Sequence, residues 1–148
     1  MKTKSLAGKI FLTVDDQRSI IPRLVVGLVF LSEGIQKFIV PELTGAGRFE
    51  KIGFDNPEFW ASFVASFEIM CGLLILFGLV TRLAAIPLLI IMGTALVTTK
   101  VPILIEDGFW AMAHASRTDF SMTMLLIFLL IYGAGRLSAD KQIGKQVN

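Results

Sequence analysis

The sequence predicts an all-α integral membrane protein, a four-helix bundle with its N and C termini cytoplasmic. Three observations predict it. Of 148 residues, 54% are apolar and the mean hydropathy is +0.71, a composition of the membrane class rather than the soluble one. Residues 20–40, 59–80, 83–99 and 120–135 approach the roughly 20 apolar residues that cross about 30 Å of hydrocarbon. Basic residues gather at one set of ends: Lys2, Lys4, Lys9, Arg18 and Arg23 at the head of the first span, Arg82 between the second and third, and Arg136, Lys141 and Lys145 after the fourth. Such flanks stay cytoplasmic. On the other side Lys37, Arg48, Lys51, Lys100 and Arg117 are interleaved with Glu42, Glu50, Asp55, Glu58, Glu106 and Asp107. The net charge of +2 therefore reads as topology, and without a basic stripe carrying aromatics no nucleic-acid partner is expected. The chain reads as one membrane domain over residues 1–148, embedded in lipid.

The leading residues are not expected to act as a secretory signal, because Lys9, Asp15 and Asp16 break the apolar stretch and no small-residue cleavage site follows. Leu6, Ile10 and Val14 fall near one helical face, so residues 5–17 read either as a helix along the cytoplasmic interface or as a disordered tail. In the first span, a turn of about 100° per residue places Arg23, Gly27, Phe30, Gly34 and Lys37 on one stripe, with Glu33 at its flank. Lipid should not see that face. Asp55, Asn56 and Pro57 then mark a helix start, a capping side chain followed by a proline whose missing N–H costs nothing in the first turn. Trp60 suits interfacial depth.

Glu68 is the only carboxylate or amine in the second span. A charge at the centre of a membrane helix costs about 2.5–3.5 kcal/mol on insertion scales, so it marks a candidate functional site. Ala61, Ala65 and Gly72 share its stripe, and small residues let membrane helices approach closely, which turns Glu68 inward. The turn at Val80, Thr81 and Arg82 is short enough to make spans two and three antiparallel neighbours. Pro87 should kink the third. Residues 101–118 mix apolar groups with Glu106, Asp107, His114 and Arg117, and read as an interfacial lid carrying Phe109 and Trp110.

A rise of about 1.5 Å per residue puts Glu33 and Glu68 within roughly one turn of each other in height, with Lys37 in reach of both. These three are the candidate catalytic, proton-handling residues. Thr94 and Thr98 on the third span, Asp119 and Thr123 on the fourth, His114 before it and Arg23 on the first are candidate substrate-binding residues. Two alternatives stay open: the Glu33, Lys37 and Glu68 network fixes only helix register, and His114 is an ordinary polar residue of an interfacial segment.

Other chemistries lack their residues. One histidine and no C-x-x-C-H exclude bis-histidine or covalent haem ligation within the chain. Cys71 is the lone cysteine, which excludes an internal disulfide, and it reads as a small apolar filler. No metal site, dinucleotide fingerprint, Walker loop or zincin motif is expected.

Four segments carry a family resemblance: residues 23–37 (R-L-V-V-G-L-V-F-L-S-E-G-I-Q-K), 49–54 (F-E-K-I-G-F), 68–82 (E-I-M-C-G-L-L-I-L-F-G-L-V-T-R) and 133–140 (G-A-G-R-L-S-A-D). In this order and spacing the chain resembles the DoxX family of small bacterial four-helix membrane proteins, whose relatives include the small subunit of thiosulfate:quinone oxidoreductase. The resemblance implies an inner-membrane protein tied to redox metabolism, with Arg23, Gly27, Gly34, Lys37, Glu68, Gly72, Gly78 and Arg82 as characteristic positions. It also implies a partner protein, such as an oxidoreductase subunit; with the buried network, a quinone or similar apolar electron carrier is the expected ligand, and a homo-oligomer is a further assembly to consider. No covalently bound cofactor is expected. Shared fold does not fix a reaction, so a non-catalytic anchoring subunit and a small proton-coupled transporter remain as rivals.

Overall fold

A backbone facing lipid must satisfy its N–H and C=O groups internally, so an apolar chain of this kind becomes helix almost throughout. The computed structural model describes residues 17–147, and among them every regular element is helical. Helix α1 (Ile20–Ile39) makes the first pass, a short α2 (Ala46–Lys51) follows, and α3 (Pro57–Phe77) returns. Helix α4 (Thr81–Ala95) continues through a π-helical turn (Leu96–Lys100) into α5 (Val101–Glu106); α6 (Phe109–Tyr132) makes the fourth pass and α7 (Ala139–Val147) follows it. Pro57–Phe77, Thr81–Glu106 and Phe109–Tyr132 are long and apolar enough to cross a membrane. At 20 residues α1 also has a spanning length, about 30 Å, while carrying Arg23, Glu33 and Lys37.

Two expectations are corrected. Where the sequence predicts an interfacial segment at 101–118, the structure has two long helices that meet at Asp107 and Gly108. Residues 101–106 extend the third pass and 109–118 open α6. Glu106, Asp107, His114 and Arg117 lower the local hydropathy, but none of them opposes helix, and Gly108 at φ +84° provides the reversal. At the start of α3 Asn56 is the cap residue, yet its side chain makes no capping hydrogen bond; it sits at φ 58°, a left-handed conformation that asparagine tolerates. The interfacial helix predicted at 5–17 lies outside the described residues except for Gln17.

The core is a column of Val26, Phe30, Cys71, Ile75, Ala85, Leu88, Met122, Leu126 and Leu129. Ile21, Leu28, Phe77, Ile90, Val97 and Phe120 point outward and are exposed, as a lipid-facing shell requires. Helices α1 and α3 pack most intimately, because Gly34 has no side chain: a Cβ there would stand 2.8 Å from the Ala65 carbonyl oxygen and 3.1 Å from the Glu68 Cβ. That contact sets the height of Glu68 against α1.

At the opposite end of the bundle, Arg23 ties three elements together. Its guanidinium donates to the carbonyls of Ile75 (3.0 Å) and Leu76 (2.6 Å) at the end of α3, and to Ala134 (3.1 Å) and Leu137 (2.6 Å) after α6. Asp140 accepts from the backbone N–H groups of Val80 (2.6 Å) and Thr81 (3.0 Å), while its own N–H donates to the Gly78 carbonyl at 2.8 Å. The turn between α3 and α4 is thereby clamped by the segment that follows α6.

Candidate functional site

Lys37 and Glu68 come together as the packing of α1 on α3 requires. The Lys37 Nζ donates to Glu68 Oε2 at 2.6 Å and lies 3.9 Å from Glu33 Oε2. The Glu68 side chain is 5% exposed and that of Glu33 44%, so the network runs from a buried carboxylate through the ammonium to a carboxylate at the surface. Each oxygen and ammonium removed from water needs such a partner, since an isolated buried charge costs several kcal/mol. Lys37 also sits 3.4 Å from the Glu33 backbone carbonyl oxygen.

The pair faces a cavity of about 320 Å³. Val29, Phe30, Met92 and Met122 form apolar walls toward the core. Phe49, Ile52 and Phe54, on and just after α2, form a roof, and Phe54 packs edge-on against Trp60 of α3 with ring centroids 5.9 Å apart. The Thr94 and Thr98 hydroxyls on the α4 side donate to their own helix, to the carbonyls of Ile90 (3.0 Å) and Thr94 (2.8 Å). Their hydroxyl protons are thus not turned toward the cavity. The chamber is mostly apolar and holds the buried Lys37–Glu68 pair, a placement in which hydrogen bonds and charge interactions are stronger than in water.

Of the residues the sequence nominates, Glu33, Lys37, Glu68, Thr94, Thr98 and Asp119 line this cavity. Asp119 pairs with Lys100 of the π-helical turn at 3.0 Å. Three do not join them. Arg23 lies at the other end of the bundle with its donors taken by carbonyls. His114 is exposed and stacks its ring nitrogens against Arg117 Nη1 at 3.0–3.2 Å. Thr123, one turn below Asp119, donates to the Asp119 carbonyl at 2.7 Å. Arg23 shares a helical face with Lys37, and Thr123 with Asp119, but neither lines the cavity.

Sequence reasoning passed over Arg48, Phe49, Phe54, Trp60 and Thr118, which also line the cavity. A signal for the roof was present: an aromatic at Phe49 and Phe54 flanking Gly53 in a stretch between two spans has no reason to be apolar unless it covers something. The π-helical turn had no such signal. It lies over Thr98 and Thr99 at the cavity wall, and single π-turns inside α-helices often stand at functional sites.

Comparison with known proteins finds a family and two relatives. The DoxX family model matches residues 19–101, from the start of α1 through the π-helical turn and the cavity residues they carry. The chain is similar to the uncharacterized membrane protein Rv3486 of Mycobacterium tuberculosis (strain ATCC 25618 / H37Rv), at 54% identity over 130 residues that cover 84% of this chain and 80% of the relative. It is also similar to the putative oxidoreductase CatD of Bacillus subtilis (strain 168), at 31% identity over 123 residues, 83% of this chain and 84% of the relative. No solved structure matches. With the family match over more than half its length and relatives aligned over most of it, this chain belongs to the DoxX family.

Proposed function

We propose that the protein is a redox-associated module of the bacterial inner membrane that takes the head of a quinone, or a similar apolar electron carrier, into the cavity and handles its protons. The observation that supports this reading is the buried Lys37–Glu68 pair at 2.6 Å on the wall of a mostly apolar, aromatic-lined chamber. An ammonium has three donors, and only some are engaged by Glu68 and Glu33, so Lys37 can donate to a carbonyl oxygen of the ligand. Glu68 is placed to exchange a proton with that oxygen through Lys37, and Glu33 to exchange one with water. Converting a quinone to its hydroquinone consumes two electrons and two protons. The network would carry the protons, and a partner oxidoreductase would deliver the electrons. The name of the Bacillus relative, a putative oxidoreductase, agrees with a redox role. Basic flanks support cytoplasmic termini, an orientation that would put the cavity in the outer half of the membrane.

A second reading has its own support. The same ion pair bridges α1 and α3, so it can serve register alone in a subunit that anchors a partner complex. Glu68→Gln separates the two. In reconstituted vesicles the proton-handling reading expects at least a tenfold loss of quinone-linked turnover with the co-purifying partner, the helices remaining packed. Unchanged quinone binding and turnover in that variant would remove the proton role and leave the anchoring one.

A further inference from the structure

The cavity has a roof that is tied down and a side that is not. After α1 the chain turns so that the N–H groups of Gly45 and Gly47 both donate to the Pro41 carbonyl, at 3.1 and 3.0 Å, which fixes α2 to the end of α1. Phe49 packs edge-on against Phe54 at 5.4 Å, and Phe54 against Trp60, which ties the roof to α3. Between α3 and α4 the wall is different. Phe63 and Ile90 line the cavity while also being 46% and 65% exposed on the outer surface of the bundle. Thr94 is likewise both lining and exposed. These residues belong to helices long and apolar enough to cross the membrane, so the surface they reach faces lipid.

We infer that the cavity opens sideways into the bilayer between α3 and α4, through a portal bordered by Phe63, Ile90 and Thr94, and that its ligand is a tailed one whose ring lies inside and whose chain stays in lipid. This inference rests on the quinone reading. At about 320 Å³ the chamber is at the small end of ligand pockets, which suits a ring head and leaves no room for a long chain. The portal is apolar, and the Thr94 hydroxyl on its border is spent on the Ile90 carbonyl, so a hydrocarbon chain can lie across it without stripping water from any donor.

Trp60 reports on the chamber because it lines it, and replacing Trp110 by Phe makes it the sole tryptophan. In lipid vesicles holding the Trp110→Phe protein, a tail-less naphthoquinone and the same ring bearing an isoprenoid tail are each titrated by quenching of Trp60. Both should quench saturably at similar mole fractions in the bilayer. Adding Ile90→Phe, which narrows the portal, should weaken the tailed quinone at least tenfold and the tail-less one less than twofold. Leu83→Phe, at an exposed position of α4 that does not line the cavity, should change neither. Saturable binding of both compounds with no effect of Ile90→Phe, or an equal loss of both, overturns the portal and leaves the quinone reading standing. An effect of Leu83→Phe equal to that of Ile90→Phe also overturns the portal. Absence of saturable quenching in the parent overturns the quinone reading and the portal with it.

Discussion

Lys37 stands between two carboxylates of unequal burial, and that inequality decides how the network answers substitution. Removing the ammonium strands Glu68 in the apolar wall. Lys37→Met is therefore expected to cost about 3–5 kcal/mol, the range for breaking a buried ion pair, read as a fall in the unfolding midpoint in detergent. Glu68→Gln should cost less, because Lys37 can swing to Glu33, already 3.9 Å away. The double substitution to methionine at both positions should recover most of the loss, since no uncompensated charge remains; a double variant as unstable as Lys37→Met would contradict the pairing. Arg23 answers differently. Lysine cannot reproduce a planar fork that reaches four carbonyls, so Arg23→Lys is expected to lose about 3 kcal/mol or more despite keeping the charge. Glu68 was legible in the sequence as a charge in an apolar run. The role of Arg23 was not, because its acceptors are backbone carbonyls 52 to 114 residues away and every residue has one.

At the level of elements, the turn from α3 to α4 carries the most demanding backbone. Gly78 closes α3 at φ 65°, and a Cβ there would stand 2.7 Å from the Arg23 Cζ and 2.6 Å from the Ser138 Cβ. Gly78→Ala thus combines a left-handed strain with a collision, and is expected to destabilise by more than the about 1 kcal/mol of the conformational term alone. Asp140 supports the same turn from outside the spanning helices. Burial pushes its carboxyl above the usual range, against the opposing pull of the Thr81 and Val80 N–H groups and of Arg23. A raised folded value means the native state binds the proton more tightly than the unfolded chain. Its contribution is then full below the ordinary carboxylate value of about 3.9 and is lost as pH rises through the folded value. Asp140→Asn should flatten the stability profile over that window. It should also lower stability at neutral pH by about 1–3 kcal/mol, because an amide accepts through one oxygen where two N–H groups need acceptors. Helix existence was legible from apolar runs of spanning length, and the α3 to α4 turn from its shortness. The junction of the third and fourth passes was not, because hydropathy falls at Glu106, Asp107, His114 and Arg117 while helix propensity does not.

For the whole molecule, four antiparallel passes bring the start of α1 and the end of α6 to one end of the bundle, where Arg23 holds the carbonyls of Ala134 and Leu137. The candidate site occupies the other end, beneath α2 and beside the π-helical turn. Structure and site therefore divide the bundle: one end is closed by backbone groups bonded to Arg23 and Asp140, the other holds a chamber with the Lys37–Glu68 pair on its wall. In the proposed orientation the closed end meets the cytoplasm, because Arg18, Arg82, Arg136 and Lys141 stand there and basic flanks resist translocation. Single cysteines at Gln17 and at Asp107 test it, with Cys71 buried and slow to react. A membrane-impermeant maleimide added to intact spheroplasts should label Asp107→Cys at once and Gln17→Cys only after permeabilisation. The reverse order would put the cavity in the cytoplasmic half, where Glu33 would draw its protons from the cytoplasm instead of the outer face.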